Sequence, residues 1–247
     1  MLNQPTLEKL HKLRLSAMAD AWTEQEQRSD SHKLDFDERF AMLVDAEYLT
    51  RENRKLTRLM KQAKLRISDA CIEDIAASPA RGLDKSLLRQ LGSLEWLSHR
   101  MNVLLTGATG VGKSHLACAL GQLACRRGHR VLYRRVPRLF EEISLAKADG
   151  SYTRLLQKIG KHQLLILDDL GMGKLREAQR HDLLEVLEDR YDTQATVVTS
   201  QLPFAKWHDW VGDPTIADAI LDRLVHNAYK VELKGPSRRK TKAKNKK

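Results

Sequence analysis

Long apolar runs and clustered cysteines are both missing from this sequence of 247 residues. No apolar stretch approaches the roughly 20 residues that a membrane-spanning helix needs, and the first residues lack the hydrophobic core of a secretion signal. The three cysteines, Cys71, Cys118 and Cys125, do not have the C-x-x-C spacing of a zinc or redox site. We therefore expect a cytoplasmic protein with reduced cysteines and no membrane partner.

Acidic residues are scarce in two stretches, and this scarcity localises the formal net charge of +11. Residues 51–66 include seven basic side chains and one acid, and residues 234–247 include eight basic side chains and no acid. Concentrated positive charge favours a polyanionic partner such as DNA. A solvated helix face and a solubilising tail would give the same pattern, so this alternative stays open.

A glycine-rich stretch follows a short apolar run at residues 103–105. The run predicts a buried strand, and the residues after it fill the pattern G-x-x-x-x-G-K-S, which is typical of a phosphate-binding loop. Glycines allow backbone N–H groups to turn toward phosphates, and a helix beginning near Lys113 adds its positive dipole end. Lys113 would contact the β- and γ-phosphates, and Ser114 would bind Mg²⁺. The nucleotide-binding residues predicted here are Gly107, Ala108, Thr109, Gly110, Val111, Gly112, Lys113 and Ser114.

Polar side chains end two further predicted strands. Asp168 and Asp169 follow the apolar run 164–167, and we expect Asp168 to position Mg²⁺ and Asp169 to polarise an attacking water. A helix N-cap after a core strand is the alternative interpretation. The strand 195–199 ends in Thr-Ser-Gln at residues 199–201, next to Asp168 if the two strands are neighbours; a plain strand-end turn would look the same.

Helical periodicity dominates the N-terminal part of the chain. Apolar residues at three- and four-residue steps predict one helix from Thr6 to Trp22 and a second that begins after Asp35 and continues into the basic segment. On this second helix the basic side chains cluster on one face, which suits contact with phosphate backbones. The residues predicted to bind DNA are Arg51, Arg54, Lys55, Arg58 and Lys61.

Strands and helices alternate from residue 102 onward. Strands at 103–105, 131–133, 164–167 and 195–199, separated by helical segments, predict an α/β fold. Its parallel sheet would be covered by helices on both faces and would bind ligands at the carboxyl ends of the strands. The predicted organisation is a basic helical domain at 1–66, a linker with a covering helix at 67–97, a nucleotide-binding domain at 98–234 and a basic tail at 235–247.

Five motifs taken together resemble IstB-type proteins, the ATP-binding helper proteins of bacterial insertion sequences. The motifs are GATGVGKS, LLILDDLG, VVTSQLP, GDPTIADAILDRLVHNAYKVEL and GPSRRK. That family resembles a branch of the AAA+ ATPases and is similar to the helicase loader DnaC. The resemblance implies an AAA+ type P-loop NTPase sheet, ATP and Mg²⁺ as cofactors, and ATPase activity. It also implies a homo-oligomer with ATP sites between subunits.

The same resemblance assigns roles to individual residues. Residues 107–114 match Walker A, and Asp168 and Asp169 match Walker B. The sensor 1 region matches residues 199–201, through Gln201 or Ser200.

Two arginines match further AAA+ positions, and two features of the chain differ from the usual AAA+ pattern. Arg223, on a predicted helix at 216–225, matches the arginine finger that reaches the nucleotide of a neighbouring subunit, and Arg239 matches a sensor 2 arginine. Many AAA+ proteins carry Glu where this chain has Asp169, and the shorter side chain predicts slow hydrolysis. About 35 residues separate Pro203 from the basic tail, so the helical lid would be reduced or absent.

The function implied by the resemblance is that of an ATP-dependent transposition helper. It would oligomerise on duplex DNA, present this target to an IstA-type transposase and be released by hydrolysis. A DnaC-like helicase loader is the alternative, and it would prefer single-stranded DNA. A small-molecule kinase would need an arginine-bearing lid over an acceptor pocket, for which we identify no segment. A nucleotide-independent DNA binder would assemble on DNA even without Lys113.

Overall fold

The computed structural model describes residues 4–28 and 33–237. The chain divides into two compact units, Met1–Arg58 and Leu59–Lys247. The division falls inside one helix, where Leu59 and Ala63 are buried. The second unit therefore begins before residue 66, which the sequence predicted as the end of the N-terminal domain. Among the described residues, no helix is both long and apolar enough to cross a membrane.

The first unit is helical. It contains α1 (Gln4–Lys12), α2 (Ser16–Gln27) and most of α3 (Phe36–Ala63). The prediction of one helix from Thr6 to Trp22 is wrong, because Arg14 adopts a left-handed conformation (φ 58°) and separates α1 from α2. The predicted start of α3 is confirmed: Asp35 Oδ1 accepts a hydrogen bond from the Glu38 N–H at 2.8 Å, and Glu38 Oε2 accepts one from the Asp35 N–H at 3.3 Å.

The second unit is built on a parallel sheet in the order β2-β3-β4-β1-β5. The strands are β1 (Asn102–Gly107), β2 (Val131–Arg135), β3 (Leu164–Leu170), β4 (Ala195–Ser200) and β5 (Ala228–Leu233). The helices are α4 (Lys85–Ser93), α5 (Glu95–Ser98), α6 (Lys113–Arg126), α7 (Val136–Ala148), α8 (Tyr152–Gly160), α9 (Glu177–Glu188), α10 (Trp207–Val211) and α11 (Pro214–Val225).

Both faces of the sheet are covered, as the sequence predicted. Successive side chains of a strand point to opposite faces, and β3 shows the result. Leu165 and Leu167 belong to a buried cluster that also includes side chains of α7, α9 and α11. Ile166 faces α6 instead, where a Cβ added at Gly121 would lie 2.7 Å from Ile166 Cδ1. The glycine therefore allows α6 to pack closely on the sheet.

The four predicted strands are confirmed, and β5 is an additional one. β5 pairs with β1 in register, with Val103 opposite Tyr229 and Leu105 opposite Val231. It lies at the edge of the sheet and alternates buried and exposed residues toward its end. The central strands β1, β3 and β4 are almost wholly buried and read as continuous apolar runs. In β5 apolar and polar residues alternate instead, so that signal is missing.

The order of the strands brings three carboxyl ends together. β1 lies beside β4, with Thr106 opposite Ser200, and β4 lies beside β3. The pairing of β3 with β4 shifts between Leu167 and Leu170, which frees the two aspartates in between from regular pairing with β4. The loop after β1 and the acidic end of β3 therefore meet at one edge of the sheet.

Candidate nucleotide-binding site

The phosphate loop requires its glycines. Gly107, Gly110 and Gly112 have φ values of 137°, 85° and 109°, a region that L side chains rarely adopt. A Cβ at Gly107 would lie 2.1 Å from the carbonyl oxygen of Leu233, and one at Gly110 would lie 2.2 Å from Ser237 Oγ. The chain around the end of β5 thus lies against the loop, and side chains at these positions would clash with it.

Lys113 is the first residue of α6 and closes the loop. Its side chain is buried, and Nζ donates to the carbonyl oxygens of Gly107 at 2.7 Å and Ala108 at 3.0 Å. The first N–H groups of a helix have no partners within the helix and attract anions. An ammonium group and a helix N-terminus therefore meet where the sequence predicted the phosphates.

Asp168 is fully buried and is bound by hydroxyl groups. Ser114 Oγ donates to Oδ1 at 2.8 Å, and the Thr199 hydroxyl donates to the same oxygen. The Tyr133 hydroxyl donates to Oδ2 at 2.5 Å. Ser114 and Asp168, the two predicted Mg²⁺ ligands, are thus neighbours. A hydroxyl and a carboxylate oxygen are hard ligands of the kind that Mg²⁺ prefers when phosphates complete its shell.

Tyr133 was not predicted to belong to the site. It is the middle residue of β2, which neighbours β3. Burial raises the pKa of its hydroxyl well above the ordinary value, and the hydrogen bond to Asp168 raises it further. Tyr133 therefore remains a protonated donor and orients the carboxylate.

Asp169 differs from Asp168 in its exposure and in its partners. Its backbone is left-handed (φ 63°), and its N–H donates to Thr199 Oγ1 at 3.1 Å. Its carboxylate pairs with Arg135 Nε at 2.9 Å. An unfavourable backbone conformation of this kind is maintained by its surroundings and often accompanies function. In this structure Asp169 faces a cation, which would have to move before the carboxylate could orient a water molecule.

The two sensor 1 candidates, Gln201 and Ser200, have different hydrogen-bond partners. Gln201 Oε1 accepts a hydrogen bond from the Thr109 hydroxyl of the phosphate loop at 2.7 Å. Ser200 is buried instead, and its hydroxyl donates to the Leu170 carbonyl oxygen at 2.7 Å and accepts from the Leu202 N–H. The structure thus brings Gln201 to the loop. Ser200 fixes the backbone between β3 and β4, so its suggested catalytic role is not supported by its position.

A cavity of about 550 Å³ opens over these groups, and we call it the phosphate-loop cavity. Among its lining side chains are three cations and one carboxylate, so its charge favours an anionic ligand. The lining residues are Arg66, Ile67, Thr109, Gly110, Gly112, Lys113, Ser114, His115, Arg135, Asp169, Met172 and Gln201.

Arg223 lies far from the phosphate loop of its own chain. The Asn102 side-chain amide donates to the Arg223 carbonyl oxygen at 2.9 Å, and Asn102 is the first residue of β1. The loop follows the other end of that strand, roughly 16 Å away at the usual rise per residue. The Arg223 guanidinium pairs with Glu188 and lies 5.8 Å from the centroid of the Tyr191 ring.

The residues predicted to bind DNA are exposed on α3, and their partners differ. Arg51 Nε pairs with Glu47 at 2.7 Å, and Lys55 pairs with Glu52 at 3.3 Å. Within the described part of the chain, no acidic side chain pairs with the remaining three: Arg54, Arg58 and Lys61. Arg239 and nearly all of the basic tail lie outside the described residues.

The site residues that the sequence did not predict come from segments without a recognised motif. Arg135 ends β2 and pairs in register with Asp168 on β3, so the strand order would have placed it near the site. Placing Tyr133 at the site likewise requires knowing that β2 lies beside β3. Arg66 precedes the sheet by many residues, and no sequence pattern indicates that it reaches the aspartates.

The family model and the similar proteins indicate the same family. Residues 8–246 match the model of the family described as IstB-like ATP binding protein. An insertion sequence ATP-binding protein of Sinorhizobium fredii is 48% identical over 97% of this chain and 98% of its own length. One from Pseudomonas fluorescens is 50% identical over 82% of this chain and 88% of its own.

Solved structures support the fold. The DnaC helicase loader superimposes with a TM-score of 0.54 at 20% identity, over 67% of this chain and 97% of that one. DnaI gives a TM-score of 0.56 at 22% identity, over 67% and 92% of the two chains. The fold is therefore the predicted AAA+ P-loop sheet preceded by a helical N-terminal region. Within the described residues no helical lid follows β5.

Proposed function

This chain belongs to the family of IstB-like ATP-binding proteins, and on that premise we propose that it is an ATP-dependent transposition helper. ATP bound between subunits would favour assembly on duplex DNA, the assembly would present that DNA to a transposase, and hydrolysis would release it. The relatives named as insertion sequence ATP-binding proteins support a role in the transposition of an insertion sequence. The observation that carries the proposal is the contact of Ser114 with Asp168 beside the phosphate loop, at 2.8 Å.

The residues of the site have separable roles in this proposal. Lys113 and the N–H groups at the start of α6 bind the phosphates. Ser114 and Asp168 would hold Mg²⁺, which would supply positive charge next to the phosphates. Tyr133 and Thr199 keep Asp168 in position. This arrangement accounts for ATP and Mg²⁺ as joint cofactors.

Hydrolysis would depend on Asp169. Its carboxylate would orient the attacking water, and Gln201 would contact the terminal phosphate from the end of β4. Since Asp169 is paired with Arg135 at 2.9 Å, the site as described is not arranged for turnover. We therefore propose slow basal hydrolysis that rises when assembly rearranges these side chains.

Two features outside the cavity support assembly and DNA binding. Arg223 lies too far from its own loop to act there, so a role in the site of a neighbouring subunit would explain its assignment as an arginine finger. Arg54, Arg58 and Lys61 are exposed, have no acidic partner among the described residues, and follow one helix at three- and four-residue steps. Such a face contacts phosphates with little dependence on base sequence. The protein would then need its transposase to provide any further selectivity.

The proposed nucleotide site is tested by measuring the affinity for ATP. We expect wild-type protein to bind ATP in the presence of Mg²⁺ and Lys113→Ala to bind it at least about tenfold more weakly, because charged hydrogen bonds to phosphate are lost. Lys85→Ala, which removes an exposed lysine on α4, is the matched control and should bind like wild type. Equal affinity of the Lys113→Ala and wild-type proteins, measured by calorimetry, would contradict the proposal.

The helicase-loader alternative shares the fold, since the likeness to DnaC at 20% identity concerns the fold alone. The two functions differ in the DNA that they bind. A loader would favour single strands, whereas a target-presenting helper would favour duplex. Comparing both DNA forms at equal length distinguishes them.

A further inference from the structure

Arg66 contacts the acidic pair from a segment that carries no recognised motif. It follows α3, which ends at Ala63, and its Nη1 lies 3.6 Å from Asp168 Oδ2 and 4.0 Å from Asp169 Oδ2. Its side chain is 43% exposed and lines the phosphate-loop cavity. Partial burial alone lowers the pKa of Arg66, but contacts with Tyr133 and the two carboxylates outweigh that effect and raise it.

The backbone beside Arg66 is anchored to the helix that begins with Lys113. A Cβ added at Gly121 of α6 would lie 2.9 Å from Leu65 Cδ2, so Leu65 packs closely against that helix. The neighbouring Leu65 is thus held against α6, whereas the Arg66 side chain is 43% exposed. Arg66 is thus positioned to change partners without unfolding its segment.

A Mg²⁺ ion held by Asp168 would compete with Arg66 for the same carboxylate. Asp168 is buried, and Arg66 is the one cation within 4 Å of it in the described part of the chain. A buried carboxylate without a counter-ion is costly, so Arg66 stabilises Asp168 before Mg²⁺ arrives. Once Mg²⁺ is bound at Asp168, the two positive charges repel each other. The guanidinium then needs another anion in the same cavity.

We propose that Arg66 is a nucleotide-binding residue that pairs with Asp168 and Asp169 in the absence of nucleotide and transfers to the terminal phosphate when ATP binds. The contact with Asp169 carries the second half of this inference, because Asp169 is the carboxylate that the proposed function assigns to the attacking water. ADP lacks this phosphate, so Arg66 favours ATP over ADP. The inference rests on the proposed nucleotide function and adds to it a residue that distinguishes the two nucleotides.

The first test compares the two nucleotides in four proteins. Fluorescent ATP and ADP derivatives are titrated with Mg²⁺ into wild type, Arg66→Ala, Arg66→Lys and Arg89→Ala. The last variant removes an exposed arginine on α4 as the matched control. We expect Arg66→Ala to reduce the ATP-over-ADP preference about tenfold, the loss typical of one charged hydrogen bond. Arg66→Lys should retain most of the preference and Arg89→Ala all of it.

An unchanged preference in Arg66→Ala overturns the inference while leaving the proposed function intact. Failure of the wild-type protein to bind either nucleotide overturns the proposed function itself. The two failures are thus distinguishable within one experiment.

The second test needs no nucleotide and examines the counter-ion role. Thermal unfolding is followed with and without Mg²⁺ alone. Arg66→Ala should unfold at a lower temperature than wild type, because Asp168 loses its cation, and added Mg²⁺ should raise that temperature more than it does for wild type or Arg89→Ala. Equal Mg²⁺ responses in Arg66→Ala and wild type would show that Arg66 does not compete with the metal.

Discussion

Three hydroxyl groups from three different elements hold the buried carboxylate of Asp168 in place. Hydroxyl groups of Ser114, Tyr133 and Thr199 all donate to its carboxylate. These donors come from a helix and two neighbouring strands, and they hold a buried charge without neutralising it. The orientation of Asp168 is therefore set before any ligand enters.

Tyr133→Phe tests this arrangement. The substitution keeps the ring and removes the donor to Asp168, so we expect Mg²⁺-dependent ATP hydrolysis to fall about tenfold with little loss of stability. Tyr229→Phe on β5 is the control. Steady-state hydrolysis at several Mg²⁺ concentrations measures the effect, and equal rates for the two variants would argue against a role for the Tyr133 hydroxyl.

Arg190 is a buried cation that belongs to the framework. Its guanidinium donates to the carbonyl oxygens of Ile159, His162 and Ala195 and to the Thr196 hydroxyl. Burial lowers its pKa, yet a guanidinium that starts above 12 remains charged at neutral pH. It ties the end of α8 to the beginning of β4.

Arg190→Met should destabilise the protein by about 2–4 kcal/mol, because buried carbonyl groups lose their donors. Chemical denaturation gives the free energy of unfolding, and Arg89→Met on the surface of α4 is the control. A change within 0.5 kcal/mol, the range usual for surface positions, would show that water or other groups replace the guanidinium.

At the scale of elements, α3 joins the two units and carries the basic face. Its start could be predicted from Asp35 and its apolar spacing, and the structure confirms it. The break between α1 and α2 could not, because the left-handed residue there is Arg14 rather than the glycine or asparagine that usually signals such a turn.

The basic face of α3 is tested by charge reversal. Arg54→Glu with Arg58→Glu should weaken duplex binding at all sequences and reduce the slope of log affinity against log salt by about 2. Lys85→Glu with Arg89→Glu on α4 has the same spacing and charge change and serves as the control. Fluorescence anisotropy over a salt series measures both, and equal weakening would indicate nonspecific attraction.

The nucleotide site was predictable to the extent that its residues are local in sequence. The phosphate loop and the aspartates after β3 each follow a buried strand, so strand and motif together located them. Tyr133, Arg135 and Arg66 are brought in by strand order and by the end of a distant helix. Long-range contacts of this kind leave no recurrent spacing in the sequence. β5 was missed because its apolar residues alternate with polar ones and form no continuous run.

At the scale of the whole molecule, Arg223 gives the clearest reason to expect assembly. In the described structure it pairs with Glu188 at the end of the sheet opposite the phosphate loop. Releasing it from Glu188 and placing it beside a neighbour's nucleotide would require a second subunit. We therefore propose that each ATP site is shared by two chains.

Mixing two inactive proteins tests that assignment. Arg223→Ala should bind ATP like wild type but hydrolyse it at least about tenfold more slowly on DNA, since an arginine finger is worth far more than that in other NTPases. Adding Lys113→Ala protein, whose Arg223 is intact, should restore part of the activity. The absence of any restoration at all mixing ratios would refute a shared site.

The most direct measurement is sedimentation of the protein with long duplex DNA, in the presence of either a slowly hydrolysed ATP analogue or ADP. The account predicts large complexes with the analogue, far fewer with ADP, and none for Lys113→Ala with either nucleotide. Single-stranded DNA of equal length should form fewer complexes than duplex. Large complexes that form equally with both nucleotides, or with Lys113→Ala, would contradict the claim that ATP controls assembly on DNA.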